Sequence, residues 1–150
     1  MSSDVDRPCP ELDSRLGYLL KHAQQRLFEL TNAALAPYGI VGRELAVLLV
    51  LDAAEPTSQL DMANRLGIDR TTMVVMLNTL QDKGLVRRTL DDADRRKNIV
   101  ELTPAGKRTL VEARRAGDEA EREFLADLDD TAADQFRQAL RTVVGVTARA

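Results

Sequence analysis

The 150-residue chain has no tryptophan, three phenylalanines and two tyrosines. An interior of stacked rings is therefore excluded, and the core must come from Leu, Val, Ala and Met, which favours helix. The single cysteine, Cys9, cannot form a disulfide within the chain, and a cytoplasmic location is the economical expectation. His22, the one histidine, leaves no Ser-His-Asp or Cys-His grouping to build. With Cys9 it also falls short of the several ligands a zinc site requires. No glycine-rich phosphate loop is present, so no enzyme, no cofactor and no metal is expected. The longest apolar run, Leu45 to Leu51, is far below the roughly 20 residues a membrane span needs, so no membrane association is expected. The start, MSSDVDRPCP, lacks a basic region followed by an apolar stretch, so nothing there marks the chain for export. Positive charge is in deficit as well: 21 Lys and Arg face 24 Asp and Glu, a net of −3. That balance argues against a protein that coats nucleic acid indiscriminately.

A local excess of positive over negative charge lies at one point of the chain. Residues 1–56 carry 5 basic against 8 acidic side chains, whereas residues 84–97 carry 5 against 3. The densest point is DDADRRK, with Arg95, Arg96 and Lys97 in a row. The rest of the chain is patterned mostly as helix. Apolar residues at 12, 16, 19, 23, 27, 30 and 34 predict one helix over about 12–36, ended by Pro37. At about 1.5 Å per residue that helix is longer than a small core needs, so part of it is expected to pack on something else. Residues 42–52 are apolar on nearly every side and predict a central buried helix. Ser58 and Asp61 have capping-box spacing for a short helix through Leu66; Gly67 breaks it, and Asp69 caps a second helix that Gly84 ends. Residues 85–89 and 99–103 predict two short strands. Thr103-Pro104 opens a long helix with a stripe of residues 106, 110, 113, 117, 120, 124 and 128, narrow because Gly106, Ala113, Gly117 and Ala120 are small. A last helix is expected over about 130–147, with Phe136, Leu140, Val143, Val144 and Thr147 on one side.

The middle of the chain carries the function. From Gln59 onward, Ala63 is small where two helices would cross, Gly67 supplies the turn, and Met62, Leu66, Ile68, Met73 and Met76 take the inward positions of a helix-turn-helix. This leaves Arg70, Thr71, Thr72, Val75 and Asn78 on the early or outward side of the second helix. Arg can bond guanine there, Asn can bond adenine, and Thr can touch base or phosphate. A hairpin beside such a motif is a wing. Arg95, Arg96 and Lys97 at its tip can follow the phosphates or enter the electronegative minor groove, while Asp94 is expected to pair with one of the arginines and fix the loop.

Ser58-Gln59 with Ala63, then IDRTTM, Leu77, Leu80, KGLVRR, and finally Asp91, Asp94, Arg95 and Arg96 ahead of Val100, Leu102, Thr103 and Gly106, resemble the MarR family of bacterial transcription regulators. The motif block covers about residues 57–106; one departure is Val41, where the family often has a Ser or Thr at the start of its second helix, so that cap is expected to be missing here. The resemblance implies a mainly α fold with a small β-wing: a winged helix-turn-helix over about 42–103, with its wing near 86–102, flanked by dimerisation helices over about 12–36 and 104–147. It implies a homodimer on a pseudo-palindromic double-stranded DNA operator, a repressor released by a small-molecule effector. Ser58, Arg70, Thr71, Thr72, Asn78, Arg95 and Arg96 are carried over as DNA-binding positions, and Lys97 joins them as the third cation of the wing tip. Many members release DNA when a small aromatic or carboxylate ligand wedges between the dimer helices and the winged domain; Tyr18, His22, Arg26 and Tyr38 are the effector candidates here. Peroxide-sensing members use a cysteine early in the first helix, where this chain has Gly17, and Cys9 lies upstream between two prolines. The alternative reading is a winged helix that binds a protein partner and has no operator specificity.

Overall fold

A computed structural model describes residues 8–53 and 56–146. The described residues fall into two compact units, one within residues 31–118 and one made of residues 8–30 and 119–146.

In the larger unit, helix α3 (Gly42–Ala53) lies at the centre and buries Leu45, Val47, Leu48 and Leu51. It packs against α4 (Gln59–Leu66) and a three-stranded antiparallel sheet in the order β1 (Thr57–Ser58), β3 (Asn98–Leu102), β2 (Val86–Leu90). Helix α5 (Arg70–Asp82) adds Met73, Leu77 and Leu80 to the same core. The two predicted strands are present, each displaced by one residue at its ends, in register Val86 with Leu102 through Leu90 with Asn98. Strand β1 was not expected: two residues following Pro56 are too few to show alternation.

The expected missing cap of α3 is corrected by two other side chains, Asn32 from ten residues away and Glu44 from within the first turn. Asn32 Oδ1 accepts from Gly42 N at 2.9 Å and Glu44 Oε2 accepts from Val41 N at 3.0 Å, so two of the free donors at the start of the helix are satisfied. Glu44, only 5% exposed, also takes Lys83 Nζ at 2.9 Å on each carboxylate oxygen. The start of α3 is thereby joined to the end of α5.

The first predicted helix is not continuous. It consists of α1 (Pro10–Asp13) and α2 (Leu16–Leu35), and a short 3-10 turn over Ala36–Tyr38 follows, absorbing Pro37 and closing on Gly39 at φ 71°. At the break the Ser14 hydroxyl donates to Glu11 O (3.1 Å), competing with the helical ladder, and Arg15 N turns to Leu12 O (3.0 Å). Helix α6 (Pro104–Phe124) starts as predicted, with Thr103 Oγ1 accepting from Gly106 N at 3.0 Å. Leu110, Ala113 and Ala120 of its stripe are buried, but Leu128 lies past its end. A Cβ on Gly106 would meet Leu85 O at 2.0 Å, so the small residue is required where the backbones touch.

The smaller unit contains α1, most of α2, the end of α6, and α7 (Asp130–Val144), capped by Asp129 and stopped by Gly145 at φ 77°. The last helix thus ends three residues before the expected 147, and Thr147 lies outside the described residues. None of the residues of α7 is buried. Among the described residues no single helix is long and apolar enough to cross a membrane.

Candidate nucleic-acid interface

The helix-turn-helix forms from local chemistry. Ser58 is the N-cap of α4: its Oγ accepts from Asp61 N at 3.1 Å and donates to Asp61 Oδ2 at 2.6 Å. Gly67, at φ 61°, makes the turn that a side chain would strain. Asp69 then caps α5, with Oδ1 accepting from Thr72 N (2.8 Å) and Oδ2 from Thr72 Oγ1 (2.6 Å). The Thr72 hydroxyl and then its backbone N–H hold the Asp69 carboxyl below the usual carboxylate range. Met62 and Met73 are fully buried, and Leu66, Ile68 and Met76 are partly buried against the core.

The outward positions of α5 are open. Arg70, Thr71 and Asn78 are exposed, and Val75 is 58% exposed on the same side. Thr72 is half-buried, with its hydroxyl proton committed to Asp69, so only its oxygen lone pairs remain to meet a donor.

The wing is built by alternation along β2. Arg87 faces away from the core and pairs across the sheet with Glu101 at 3.3 Å. Arg88 falls on the same face as buried Val86 and reaches α5 instead: Nε donates to Gln81 Oε1 at 2.8 Å and Nη2 donates to Asn78 Oδ1. Arg88 and Gln81 were not singled out from the sequence, although the period of two places Arg88 toward the helix. The tip is shaped by carboxylates on backbone donors. Asp91 Oδ1 accepts from Ala93 N at 3.0 Å, Asp94 Oδ1 from Arg96 N at 3.1 Å, and Asp94 O from Lys97 N at 2.9 Å. The expected pairing of Asp94 with an arginine side chain is thus corrected, because its carboxylate closes an Asx turn with the Arg96 backbone. The guanidinium groups are left unencumbered. Among the described residues, Arg70, Arg95, Arg96 and Lys97 have exposed side chains with no ion-pair partner.

The effector candidates are not gathered in the same way. Tyr18 and His22 stack at 4.3 Å between ring centroids, with 49° between planes, and exposed Arg26 lies one further turn along α2. Tyr38 belongs to the other unit, in the 3-10 turn, and is 38% exposed. The smaller unit has a cavity of about 250 Å³ whose walls include Leu20, Leu27, Phe124, Phe136 and Leu140, with the Arg137–Glu121 ion pair (2.9 Å) at its edge. None of Tyr18, His22, Arg26 and Tyr38 lines it. Among the described residues no group of three or more His, Cys, Asp or Glu could hold a metal ion.

Comparison with known proteins agrees with this geometry. A family model described as "MarR family" matches residues 38–97. Transcriptional regulator HosA of Escherichia coli O111:H- is 36% identical over 75 residues, which is 50% of this chain and 56% of that protein. The match therefore spans little more than half the length of this curated relative. Among solved structures, the transcriptional repressor CouR bound to a 23-mer DNA duplex is similar at 35% identity and a TM-score of 0.88, over 93% of this chain and 99% of that one. CouR from Rhodococcus jostii RHA1 bound to p-coumaroyl-CoA is similar at 29% identity and a TM-score of 0.79, over 95% and 100%.

Proposed function

Because this chain belongs to the MarR family of transcription regulators, we propose that it is a repressor that binds an operator as a homodimer and leaves it when a small ligand binds. The observation that carries the DNA-binding reading is the wing tip: three cations are held outward by Asx turns while the root of the same hairpin is pinned to α5. A helix whose early turns enter the major groove brings Arg70, Thr71 and Thr72 to base edges and phosphates. Arg95, Arg96 and Lys97 then serve the minor groove or the backbone, where anionic density is greatest.

Several observations support the homodimer. In the smaller unit Leu16 is 76% exposed, Val143 83% and Val144 70%, alongside Phe28 and Phe136. That much apolar surface on helices is unfavourable in water, and a second copy is the partner that covers it. Two protomers place their reading helices about one turn of duplex apart, roughly 34 Å.

The similarity to CouR bound to p-coumaroyl-CoA supports an aromatic or carboxylate effector. Such a ligand acts only by binding the DNA-incompetent arrangement more tightly, since equal affinity for both shifts nothing. Tyr18, His22, Arg26 and Tyr38 remain the proposed contacts.

Substitution separates the two kinds of DNA contact. Arg96→Ala is expected to weaken selected and scrambled duplexes alike, whereas Arg70→Ala also relaxes base preference. Titrating both variants against the two duplexes checks this. Equal effects on both duplexes from both variants would refute the division of roles, and a wild-type protein indifferent to sequence would indicate the protein-binding alternative.

A further inference from the structure

Arg88 is the one cation of the hairpin that turns inward to the reading helix, and what it does there determines how Asn78 meets DNA. A guanidinium has donors and no acceptor. It can bond Asn78 and Gln81 only through their amide oxygens, so both oxygens face back toward Arg88 and both NH₂ groups are free to face away. The orientation of these amides follows from the chemistry of their partner. Reading adenine with an asparagine requires the oxygen and the NH₂ to face the base together, the oxygen accepting from N6–H and the NH₂ donating to N7, and an oxygen turned back to Arg88 is not so presented.

Three further features define what this edge suits. Asn78 and Gln81 are three apart on α5, both exposed, in the later turns of the helix. A recognition helix contacts base edges mainly with its N-terminal residues. Arg88 has donated two of its five N–H groups and, unlike Arg87, has no carboxylate partner among the described residues. The result is a positively charged edge of N–H donors at the junction of helix and wing.

We infer that Arg88 is a positioning residue that turns the amide oxygens of Asn78 and Gln81 inward and their NH₂ groups outward, and that the three form a phosphate clamp, so that Asn78 holds the backbone and does not read adenine. The inference rests on the proposed duplex binding.

Its test uses the full chain and a duplex selected from a random pool by the wild type. Affinity is measured across a salt series, and base preference at every position, for the wild type, Asn78→Ala and Arg88→Met. Asn78→Ala is expected to lose roughly 5- to 10-fold on selected and scrambled duplexes equally, with preference unchanged everywhere. Arg88→Met is expected to lose at least as much and to flatten the plot of log affinity against log salt by about one. A position whose preference relaxes in Asn78→Ala overturns the inference, as does a folded Arg88→Met protein with wild-type slope. Should Arg88→Met fail to fold, the exposed Asn78→Ala still decides the matter. A wild type that selects no duplex overturns the proposed function first, and this inference with it.

Discussion

Arg87 and Arg88 are adjacent and do different things because a strand sends successive side chains to opposite faces. One steadies the outer face of the wing against Glu101, and the other ties the wing to α5. Single atoms matter as much elsewhere. A methyl group at Gly106 would occupy the space of the Leu85 carbonyl oxygen, which cannot swing aside as a side-chain tip would. Gly106→Ala is therefore expected to cost about 2 kcal/mol or more, read as a lowered urea midpoint at unchanged slope. At Asp69 the effect is one of pH. Thr72 depresses the folded-state pKa, so the carboxylate contributes stability that is fully present above its unfolded value and is lost as pH falls through the lower folded value. Asn can cap the same helix without titrating. Urea melts of the wild type and Asp69→Asn, compared from neutral pH down into that acidic window, are expected to show the wild type losing stability relative to the variant. Parallel curves would mean that the cap does not respond to pH.

At the scale of elements, what could be read in the sequence was what local chemistry decides. Ser58, Gly67, Asp69 and Thr103 act within three or four residues of their partners, so the helix-turn-helix and the start of α6 were visible from spacing. The α3 cap was not, because Asn32 lies ten residues from the donor it satisfies. The Glu44–Lys83 pair spans 39 residues and no periodic pattern encodes it. Asp94 lies in the wing, but its partner is a backbone N–H, which adjacency to Arg95 and Arg96 does not distinguish from a guanidinium. The break between α1 and α2 was hidden because the apolar stripe continues across it. The α3–α5 link supplies the prediction at this scale. Glu44→Ala removes a cap and leaves Lys83 without its partner. Lys83 is partly exposed and can rehydrate, so a loss of about 2 kcal/mol in chemical denaturation is expected, below that of a fully buried pair.

For the whole molecule, an acidic chain and a DNA-binding role are compatible because the cations are concentrated where a duplex would lie. A net charge of −3 limits indiscriminate adhesion, while the wing tip keeps a local positive field. In the proposed homodimer the apolar surface at the chain ends and the polar reading surface in the middle would serve together: a second copy would cover the first and duplicate the second, and duplication would give the spacing that a pseudo-palindrome requires. Sedimentation velocity tests this most directly, with the protein alone and then titrated with a duplex it has selected and a scrambled duplex of equal length. The expected result is a dimer that loads two copies per selected duplex, with roughly 10³-fold preference over the scrambled one and affinity falling steeply as salt rises. Single copies that bind both duplexes equally, or neither, would contradict it.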